Sequence, residues 1–482
     1  MGNIPVTDDI WEQGWTAEQP FFKSFAQMKI LTECKNIIGV TEGRYLIYGE
    51  RSVVRAFLSK NTYKRIQESG EQLFQQKVAE QTIQEIKDTI LSFWSCVEKL
   101  RTDTVHENLH SVLSINQFRE FNLGLLKVFA YFRTTWEATV SSLEQRLKDL
   151  IQTALQKAWE EACILAVTPV EPDLLFREKL SWLEVLEKPT EIMIQRYMFR
   201  YPYHFCNCDS ESDALDIVKE RIKKDSISTL KAEIEKSQNE FKKLKAQQQL
   251  LFKEVNSQEV QQIAYVLQQF ALLRFELKNC WAGIHYSLFP LFRHIAQATG
   301  QTIGDVMMYW SMKDILTFFE TKIAVDKEEI KQRKKFYLFL LENNTISFWV
   351  GDEAKKTKGA ILERDLPKHV SSFEGSVACR GKTTGIVKII SFDDIRIIEK
   401  TADGIKQDFI LVTGMTNPNM VPLIKKAKAI VTDEGGITCH AAIISREFNI
   451  PCIVGTKIAT QVLKDGDVVE VNAYDGIVRK IK

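Results

Sequence analysis

The sequence predicts a multidomain protein with a mainly α-helical N-terminal region and a compact α+β domain at the C-terminal end. The chain has 482 residues, and a single hydrophobic core stops growing at about 250 to 300 residues. Only four of the 22 glycines lie in residues 71–350, whereas twelve lie in residues 351–482. Because glycine destabilises helices and favours turns, the middle should be helical and the end rich in turns. The hydrophobic period also changes near residue 340, from three- and four-residue steps to short apolar strands.

Residues 1–340 are predicted to be mostly helical. Between residues 62 and 166 the chain contains few helix breakers and places apolar residues three or four positions apart, as on one face of a helix. A looped stretch is predicted at 166–225, either within one unit or as the break between two subdomains. From Ile227 an apolar seam with two polar interruptions favours an antiparallel helix hairpin over a dimeric coiled coil. Residues typical of helix starts or stops follow, namely Ser257, Gly300 and Ser311.

Residues 341–372 are predicted to form a hairpin followed by a mobile hinge, and residues 373–482 a separate domain. The hairpin turn is expected at Asn343-Asn344, between two apolar, β-prone segments. In the last domain, five segments bounded by Gly, Asp or Asn are typical of strands: "TGIVKII", "DFILVTG", "AKAIVTD", "IPCIVGT" and "DVVEVNAYDGIVRKIK". One helical segment, "CHAAIISREF", lies among them, which indicates a compact α+β fold.

Composition excludes several classes of function. The 64 Lys and Arg residues balance the 63 Asp and Glu residues, so no bulk positive charge indicates a nucleic-acid or membrane-surface partner. No apolar run approaches the ~20 residues of a membrane span. The acidic start lacks a signal-peptide core, so we expect a cytoplasmic protein. The nine scattered cysteines are typical of reduced thiols. His204, Cys206 and Cys208 lack a nearby fourth ligand, and no metal site is expected.

The segment "TDEGGITCHAAIISREFNIPCIVGT", residues 432–456, is the strongest candidate for a functional site. Gly435 and Gly436 follow an apolar strand and precede a helix, so the chain can bend sharply and turn backbone N–H groups towards a ligand. A helix start binds anions through its free amides and the positive pole of its dipole. His440 lies at that start. With a reference pKa of about 6.5 its imidazole is largely neutral at neutral pH and can attack phosphorus.

Three neighbours are candidate phosphate-binding groups. Thr438 supplies a hydroxyl and Cys439 a weak S–H donor. Arg446, on the same helix, can pair with a phosphate, although it can also cap the helix or pair with Glu447. The alternative for His440 itself is packing, because a lone histidine beside apolar residues is more often a core residue than a reactive one.

The run "GGITCHAAI", followed by "SREFNIPCIVG", resembles the phosphohistidine domain of phosphoenolpyruvate-utilising enzymes, also called the mobile or swivelling domain. That family includes phosphoenolpyruvate synthase, pyruvate phosphate dikinase and rifampicin phosphotransferase. The upstream "DFILVTGMTNPNMVPLIKKAKAIVTDEGG" resembles the strand, Thr-x-Pro turn and strand that precede the motif, while Ala378-Cys379 stands where Ala-Ser is usual. The resemblance covers about residues 370–482, and loosely 300–370. It implies a β/β/α swivelling fold in which His440 is the phosphoryl acceptor.

In that family the histidine is phosphorylated from ATP on an ATP-grasp domain or from phosphoenolpyruvate in a barrel. Residues 71–350 are too helical for either fold, and the sequence has no glycine-rich phosphate loop. We therefore expect a phosphotransferase component without a bound cofactor. A partner chain would supply the donor domain with ATP or phosphoenolpyruvate and Mg²⁺, and the acceptor is unknown. The alternatives are a non-catalytic binding or regulatory protein, and a small-molecule phosphotransferase with its acceptor pocket in the helical region.

Overall fold

The computed structural model describes residues 11–18, 21–38, 43–50, 53–105, 112–135, 137–205, 208, 210–365, 370–390, 408–416, 420–436 and 439–481. The chain divides into two compact units. The first comprises residues 1–24, 42–63 and 327–482, and the second comprises residues 25–41 and 64–326.

The second unit is helical. The helices before residue 327 are Phe21–Glu33, Lys35–Ile38, Lys60–Gly70, Gln76–Val105, Val112–Thr134, Glu137–Leu155, Trp159–Val167, Leu174–Glu187, Glu191–Arg200, Glu211–Lys224, Ile227–Val255, Gln258–Ala282, Ile284–Ser287, Phe289–Thr299, Ile303–Tyr309 and Met312–Thr321. Short 3-10 turns lie at Glu71–Phe74 and Pro202–Phe205. None of the described helices combines the length and the apolar character needed to cross a bilayer.

The helix ends follow the residues that the sequence analysis selected. The Ser257 hydroxyl accepts from Val260 N at 3.3 Å, and Ser311 forms a capping box with Asp314. Gly300 ends its helix with φ of +62°, a left-handed conformation that glycine adopts without strain. These three predictions are confirmed.

The predicted loop at 166–225 is wrong. Three helices occupy it, and their N-caps are Asp173, Thr190 and Ser210, each of which accepts a hydrogen bond from a first-turn N–H. The stretch belongs to the same compact unit as the helices on either side of it. Its prolines separate short helices instead of preventing them, because a proline before or in the first turn interrupts no intrahelical bond.

The apolar seam that starts at Ile227 packs mainly against the helices Trp159–Val167 and Leu174–Glu187. Phe241 meets Phe176 edge to face, with ring centroids 5.3 Å apart. The seam polar residue Gln248 is buried, and its amide donates to the carbonyls of Leu165 and Thr168. The helix Ile227–Val255 therefore packs mainly against the helices before it. It contacts the next helix, Gln258–Ala282, only weakly.

The first unit contains a five-stranded antiparallel sheet that the sequence analysis did not predict in full. Its strands are β1 Trp11–Glu18, β2 Tyr45–Glu50, β3 Val53–Ser59, β4 Tyr337–Glu342 and β5 Thr345–Val350, in the order β1-β3-β2-β4-β5. The predicted hairpin is confirmed: β4 pairs with β5 through Asn343 and Asn344, whose φ angles of 51° and 58° fit a tight hairpin turn. The predicted domain boundary near residue 340 falls inside β4, which also pairs with β2.

After the hairpin, the segment predicted as a hinge begins with the helix Gly351–Asp365. Ala354 and Ile361 of this helix pack into the core on one face of the five-stranded sheet. Residues 366–369 lie outside the described residues, so the mobility of this connection stays a prediction. The helix Lys327–Lys335 precedes β4.

The described part of the C-terminal domain forms an eight-stranded sheet. Six of its strands lie in the predicted strand-like segments, whereas the two within residues 372–379 were not predicted. The strands are β6 Ser372–Glu374, β7 Ser376–Cys379, β8 Lys382–Ile389, β9 Phe409–Thr413, β10 Ala427–Thr432, β11 Cys452–Val454, β12 Val468–Asn472 and β13 Ile477–Lys480. Their order is β6-β13-β12-β8-β9-β10-β11-β7, and β8 to β11 run parallel. The helices among the described residues of this domain are Val421–Ile424, His440–Glu447 and Ala459–Val462.

Apolar residues alternate between the two faces of this sheet and build a core on each. On one face, Leu411 and Ile430 pack beneath Ala441 and Ala442 of the helix His440–Glu447. The opposite face carries a second cluster, centred on Val431 of the same strand. Within the described part of the chain, both clusters draw only on residues from 370 onwards. The small alanines let the helix that carries His440 lie close to the sheet.

Because these two cores contain no residue from before 370, we expect limited trypsin digestion to cut at or near Lys368 and release a folded C-terminal fragment of about 110 residues. Mass spectrometry identifies the cut, and circular dichroism of the purified fragment tests its fold. A digest in which the C-terminal domain degrades while the helical unit survives would contradict a self-contained domain.

Candidate functional site

The candidate site lies where three parallel strands end. β9, β10 and β11 run in the same direction, so the loops that follow Thr413, Thr432 and Val454 meet at one edge of the sheet. Backbone bonds join them: Asp433 N donates to the Thr413 carbonyl at 3.1 Å, and Thr456 N donates to the Thr432 carbonyl at 3.0 Å. In open sheets, ligands bind outside the carboxyl ends of parallel strands.

His440 is the first residue of the helix at this edge. Its side chain is half-buried, so it is neither a core residue nor fully exposed. Its Nδ1 lies 2.9 Å from the hydroxyl of Thr416, which is buried in the loop after β9. Nε2 has no hydrogen-bond partner among the residues that the structure describes. Partial burial lowers the pKa of His440 below its usual value, so the ring is neutral at pH 7.

The glycine turn before His440 is tightly folded. Gly435 has φ of +103°, and a Cβ at this position would lie 2.7 Å from the Sγ of Cys439. Gly436 accepts a hydrogen bond from Cys439 N at 3.0 Å, which closes the turn. Cys439 is the N-cap, and its side chain makes no capping bond. The first-turn N–H groups of the helix therefore depend on another partner, since no intrahelical carbonyl reaches them.

The loop after β11 lies against this turn. Gly455 has φ of +70°, and a Cβ there would come within 2.8 Å of the Gly435 carbonyl oxygen. The two backbones approach each other more closely than any side chain would allow. The position of one loop therefore fixes the position of the other.

Asp433 lies between these loops and is fully buried. Its carboxylate accepts from the backbone N–H of Thr460 at 3.2 and 3.3 Å and from the Thr460 hydroxyl. The Thr456 hydroxyl lies 3.2 Å from Oδ1. Burial raises the pKa of Asp433 to about 6, although these hydrogen bonds oppose the shift.

The remaining predicted phosphate-binding residues have different positions. Arg446 donates from Nε to the carbonyl of Ala378 in β7 at 2.9 Å and so fastens the helix to the sheet. Its role as a phosphate ligand stays a prediction. Thr438 lies outside the described residues. Among the residues considered as metal ligands, Cys206 also lies outside the described residues. His204 lies in the helical unit, where its Nε2 is 3.4 Å from Oε1 of Glu178.

The comparison with known families agrees with this geometry. Residues 405–476 match the family model described as PEP-utilising enzyme, mobile domain. This part of the chain is a PEP-utilising mobile domain. The resemblance predicted from the glycine and histidine motif is thus confirmed.

Two named relatives each match a part of the chain. A probable phosphoenolpyruvate synthase of Archaeoglobus fulgidus is 53% identical over 141 residues, which are 29% of this chain and 18% of that protein. The phosphoenolpyruvate synthase of Pyrococcus furiosus is 62% identical over 78 residues, which are 16% of this chain and 10% of that protein. This chain therefore covers less than a fifth of either relative.

Among solved structures, aconitase X of Thermococcus kodakaraensis in its holo form aligns with 23% of this chain and 100% of that chain, at 20% identity and a TM-score of 0.19. No conclusion rests on so small an overlap.

Two residues of the site were not singled out from the sequence. Thr416 belongs to the Thr-x-Pro turn, three residues after a buried strand that runs parallel to the strand before His440, and this place was the available signal. Asp433 directly follows the apolar strand β10, where a carboxylate is unusual unless it has partners.

We expect Gly435→Ala to destabilise the protein more than the matched change Gly466→Ala. Both glycines have positive φ, +103° and +92°, and each alanine should lose about 1 to 2 kcal/mol through backbone strain. Only at Gly435 does the new Cβ also meet Cys439, whereas nothing lies within 4 Å at Gly466. Urea denaturation of both variants measures the difference, and equal losses would show that the turn is looser than described.

A second expectation concerns Asp433. Because its folded-state pKa is raised from 3.8 to about 6, the stability linked to its protonated form is complete below about pH 4 and lost as the pH rises through about 6. Relative to Asp433→Asn, the wild-type free energy of unfolding should fall by on the order of 3 kcal/mol between these limits. Urea titrations at several pH values measure this difference, and a pH-independent difference would contradict the buried, ionisable carboxyl.

Proposed function

We propose that this protein is a phosphoryl-transfer protein in which Nε2 of His440 accepts a phosphoryl group from a donor domain on another chain and passes it to an acceptor. The observation that carries the proposal is the contact of 2.9 Å between Nδ1 and the Thr416 hydroxyl. This contact engages one ring nitrogen and leaves the other for chemistry. A histidine that served only in packing would not need one ring nitrogen bonded and the other left open.

The ring chemistry follows from the tautomer. For Nε2 to attack, its lone pair must be free, so the ring proton resides on Nδ1, where the Thr416 oxygen accepts it. The Nε2 lone pair forms the N–P bond while the bond from phosphorus to the leaving oxygen breaks, and that oxygen keeps the electron pair. The ring proton stays on Nδ1. The positive charge that develops on the ring is stabilised by the threonine oxygen and by the transferred phosphoryl dianion.

The helix start supplies the second element of the proposal. Transferred phosphoryl oxygens are anionic, and the open N–H groups of His440 and the next residues lie at the positive end of the helix. Partial burial keeps the imidazole neutral and therefore nucleophilic at pH 7, since it lowers the pKa of His440. Thr438, Cys439 and Arg446 are proposed to assist in holding the phosphoryl group.

The donor is proposed to be a partner protein that binds ATP or phosphoenolpyruvate with Mg²⁺, so that this chain itself needs no cofactor. The names of the relatives support this choice of donor class. ATP and phosphoenolpyruvate are cytoplasmic metabolites, and we place the reaction there. The helical unit is proposed to dock the donor protein or bind the acceptor.

A chemical phosphodonor tests the histidine without its partner. We expect phosphoramidate to label full-length wild-type protein once at His440, giving an acid-labile, alkali-stable adduct that intact-mass and peptide mass spectrometry detect. His440→Ala should abolish this label and keep the fold, because a half-buried site residue contributes little packing. His204→Gln, which changes one of the other six histidines, should leave it unchanged.

Thr416→Val should slow this labelling about tenfold without abolishing it, because one hydrogen bond to the reacting ring is lost. Thr384→Val, an exposed threonine on β8, is the matched control and should label at the wild-type rate. Labelling that survives His440→Ala would move the chemistry to another residue. Wild-type protein that stays unlabelled, both by phosphoramidate and in cell extract with ATP or phosphoenolpyruvate, would support the non-catalytic alternative.

A further inference from the structure

We infer that Asp433 is a positioning residue for phosphoryl transfer: its carboxylate holds the loop after β11 against the glycine turn that presents His440. This inference rests on the proposed function of His440. Asp433 does not touch the reacting ring in the structure, so its effect must pass through the backbone. The contacts that transmit it can be followed one by one.

The side chain of Asp433 holds the loop after β11. The Thr460 backbone N–H and hydroxyl donate to the carboxylate oxygens. The Thr456 hydroxyl lies 3.2 Å from Oδ1 and 3.0 Å from the Thr432 carbonyl oxygen. The backbone of Asp433 adds another bond, since its carbonyl accepts from Lys457 N at 3.0 Å. Residues 456–460 are thus tied to the end of β10 at several points.

The backbone of the same residue holds the loop after β9. Asp433 N donates to Thr413, and Glu434 N donates to the Gly414 carbonyl at 2.9 Å. Gly414 lies two residues before Thr416, the partner of the His440 ring. Asp433 therefore joins the two loops that flank the histidine turn.

The last link is the contact between the two glycine backbones. Gly455, directly before Thr456, lies so close to the Gly435 carbonyl that no Cβ would fit between them. Gly435 leads into Gly436, whose carbonyl closes the turn on Cys439 N. If residues 456–460 shift, Gly435 gains room and the helix start that carries His440 can move.

Stability does not explain a carboxylate at this position. A buried charge without a basic partner is costly, and replacing buried charged groups with neutral ones is often neutral or stabilising. The groups that face the carboxylate are threonine hydroxyls and backbone amides. The charged neighbours are Glu434, the next residue in the loop after β10, and Lys457, whose backbone N–H donates to the Asp433 carbonyl. The carboxylate is instead suited to accepting several donors at once, which orients a loop.

Protonation of Asp433 distinguishes a positioning role of the carboxylate from a purely structural role of the residue. The acid form of Asp433 has the shape of asparagine and can accept fewer hydrogen bonds, so acidified wild-type protein should behave like Asp433→Asn. The raised pKa places this change near pH 6. Protonation of His440 also slows labelling, but it does so in both proteins, and the ratio of their rates therefore isolates Asp433.

The experiment measures the rate of His440 labelling by phosphoramidate in full-length wild type, Asp433→Asn, Thr460→Val and Asp465→Asn. Asp465 is the matched control, because its carboxylate also accepts a backbone N–H, that of Ile389, but it ties the later part of the same connection to Lys388 of β8 instead of to the end of β10. We expect Asp433→Asn to react about tenfold more slowly near pH 8, Thr460→Val to lose less, and Asp465→Asn to match the wild type. The wild-type advantage over Asp433→Asn should shrink as the pH falls through about 6 and be less than about twofold below about pH 5.

Asp433→Asn that labels at the wild-type rate near pH 8, or whose deficit is the same at every pH, would overturn the inference and leave the proposed function intact. Wild-type protein that never labels at His440 would overturn both. If Asp433→Asn proves unfolded by circular dichroism, Thr460→Val decides, because labelling at the wild-type rate in that variant overturns the positioning role.

Discussion

The hydrogen bond between Thr416 and Nδ1 of His440 is the constraint on which the rest of the mobile domain depends. A free imidazole offers two nearly equivalent nitrogens in two tautomers, and only one arrangement suits a defined transfer. Thr416 removes that ambiguity by engaging one nitrogen at 2.9 Å. The fold of the domain brings Thr416 and His440, which are 24 residues apart in the sequence, into contact.

The parallel arrangement of β9 and β10 accomplishes this. Parallel neighbours place their carboxyl ends at the same edge, so the residue that follows each strand meets its counterpart without a long loop. Cores on both faces of the sheet then fix the strands, and the alanines of the histidine helix let it pack closely. Positive-φ glycines at 435 and 455 allow the loops to touch at the backbone. Stability of the scaffold and geometry of the site therefore come from the same residues.

Local features were predictable from the sequence, and contacts between distant segments were not. Asn343-Asn344, Gly300 and Ser311 act through their own backbone or their nearest neighbours, and each was predicted correctly. The strands β1 to β3 were not, because their sheet is completed by β4 and β5 almost 300 residues later. Prolines around residues 166–225 suggested a loop, although they only separate helices.

In the site, too, the local features were predictable and the contacts between distant segments were not. The motif around His440 predicted the histidine, the glycine turn and the family, since these lie in one continuous run of sequence. Thr416 and Asp433 act through contacts across strands. Each follows a buried strand, but a single sequence does not show which partners such a residue meets. Thr438, by contrast, was predicted from the motif and lies outside the described residues.

The central claim is that Thr416 makes Nε2 the phosphorylated nitrogen of His440. Phosphorus and proton NMR of the phosphoprotein, formed with ATP or phosphoenolpyruvate in cell extract and held at alkaline pH, identifies which ring nitrogen carries the phosphoryl group. The account predicts a phosphoryl group on Nε2 of His440. A phosphoryl group on Nδ1, the nitrogen that contacts Thr416, would contradict it.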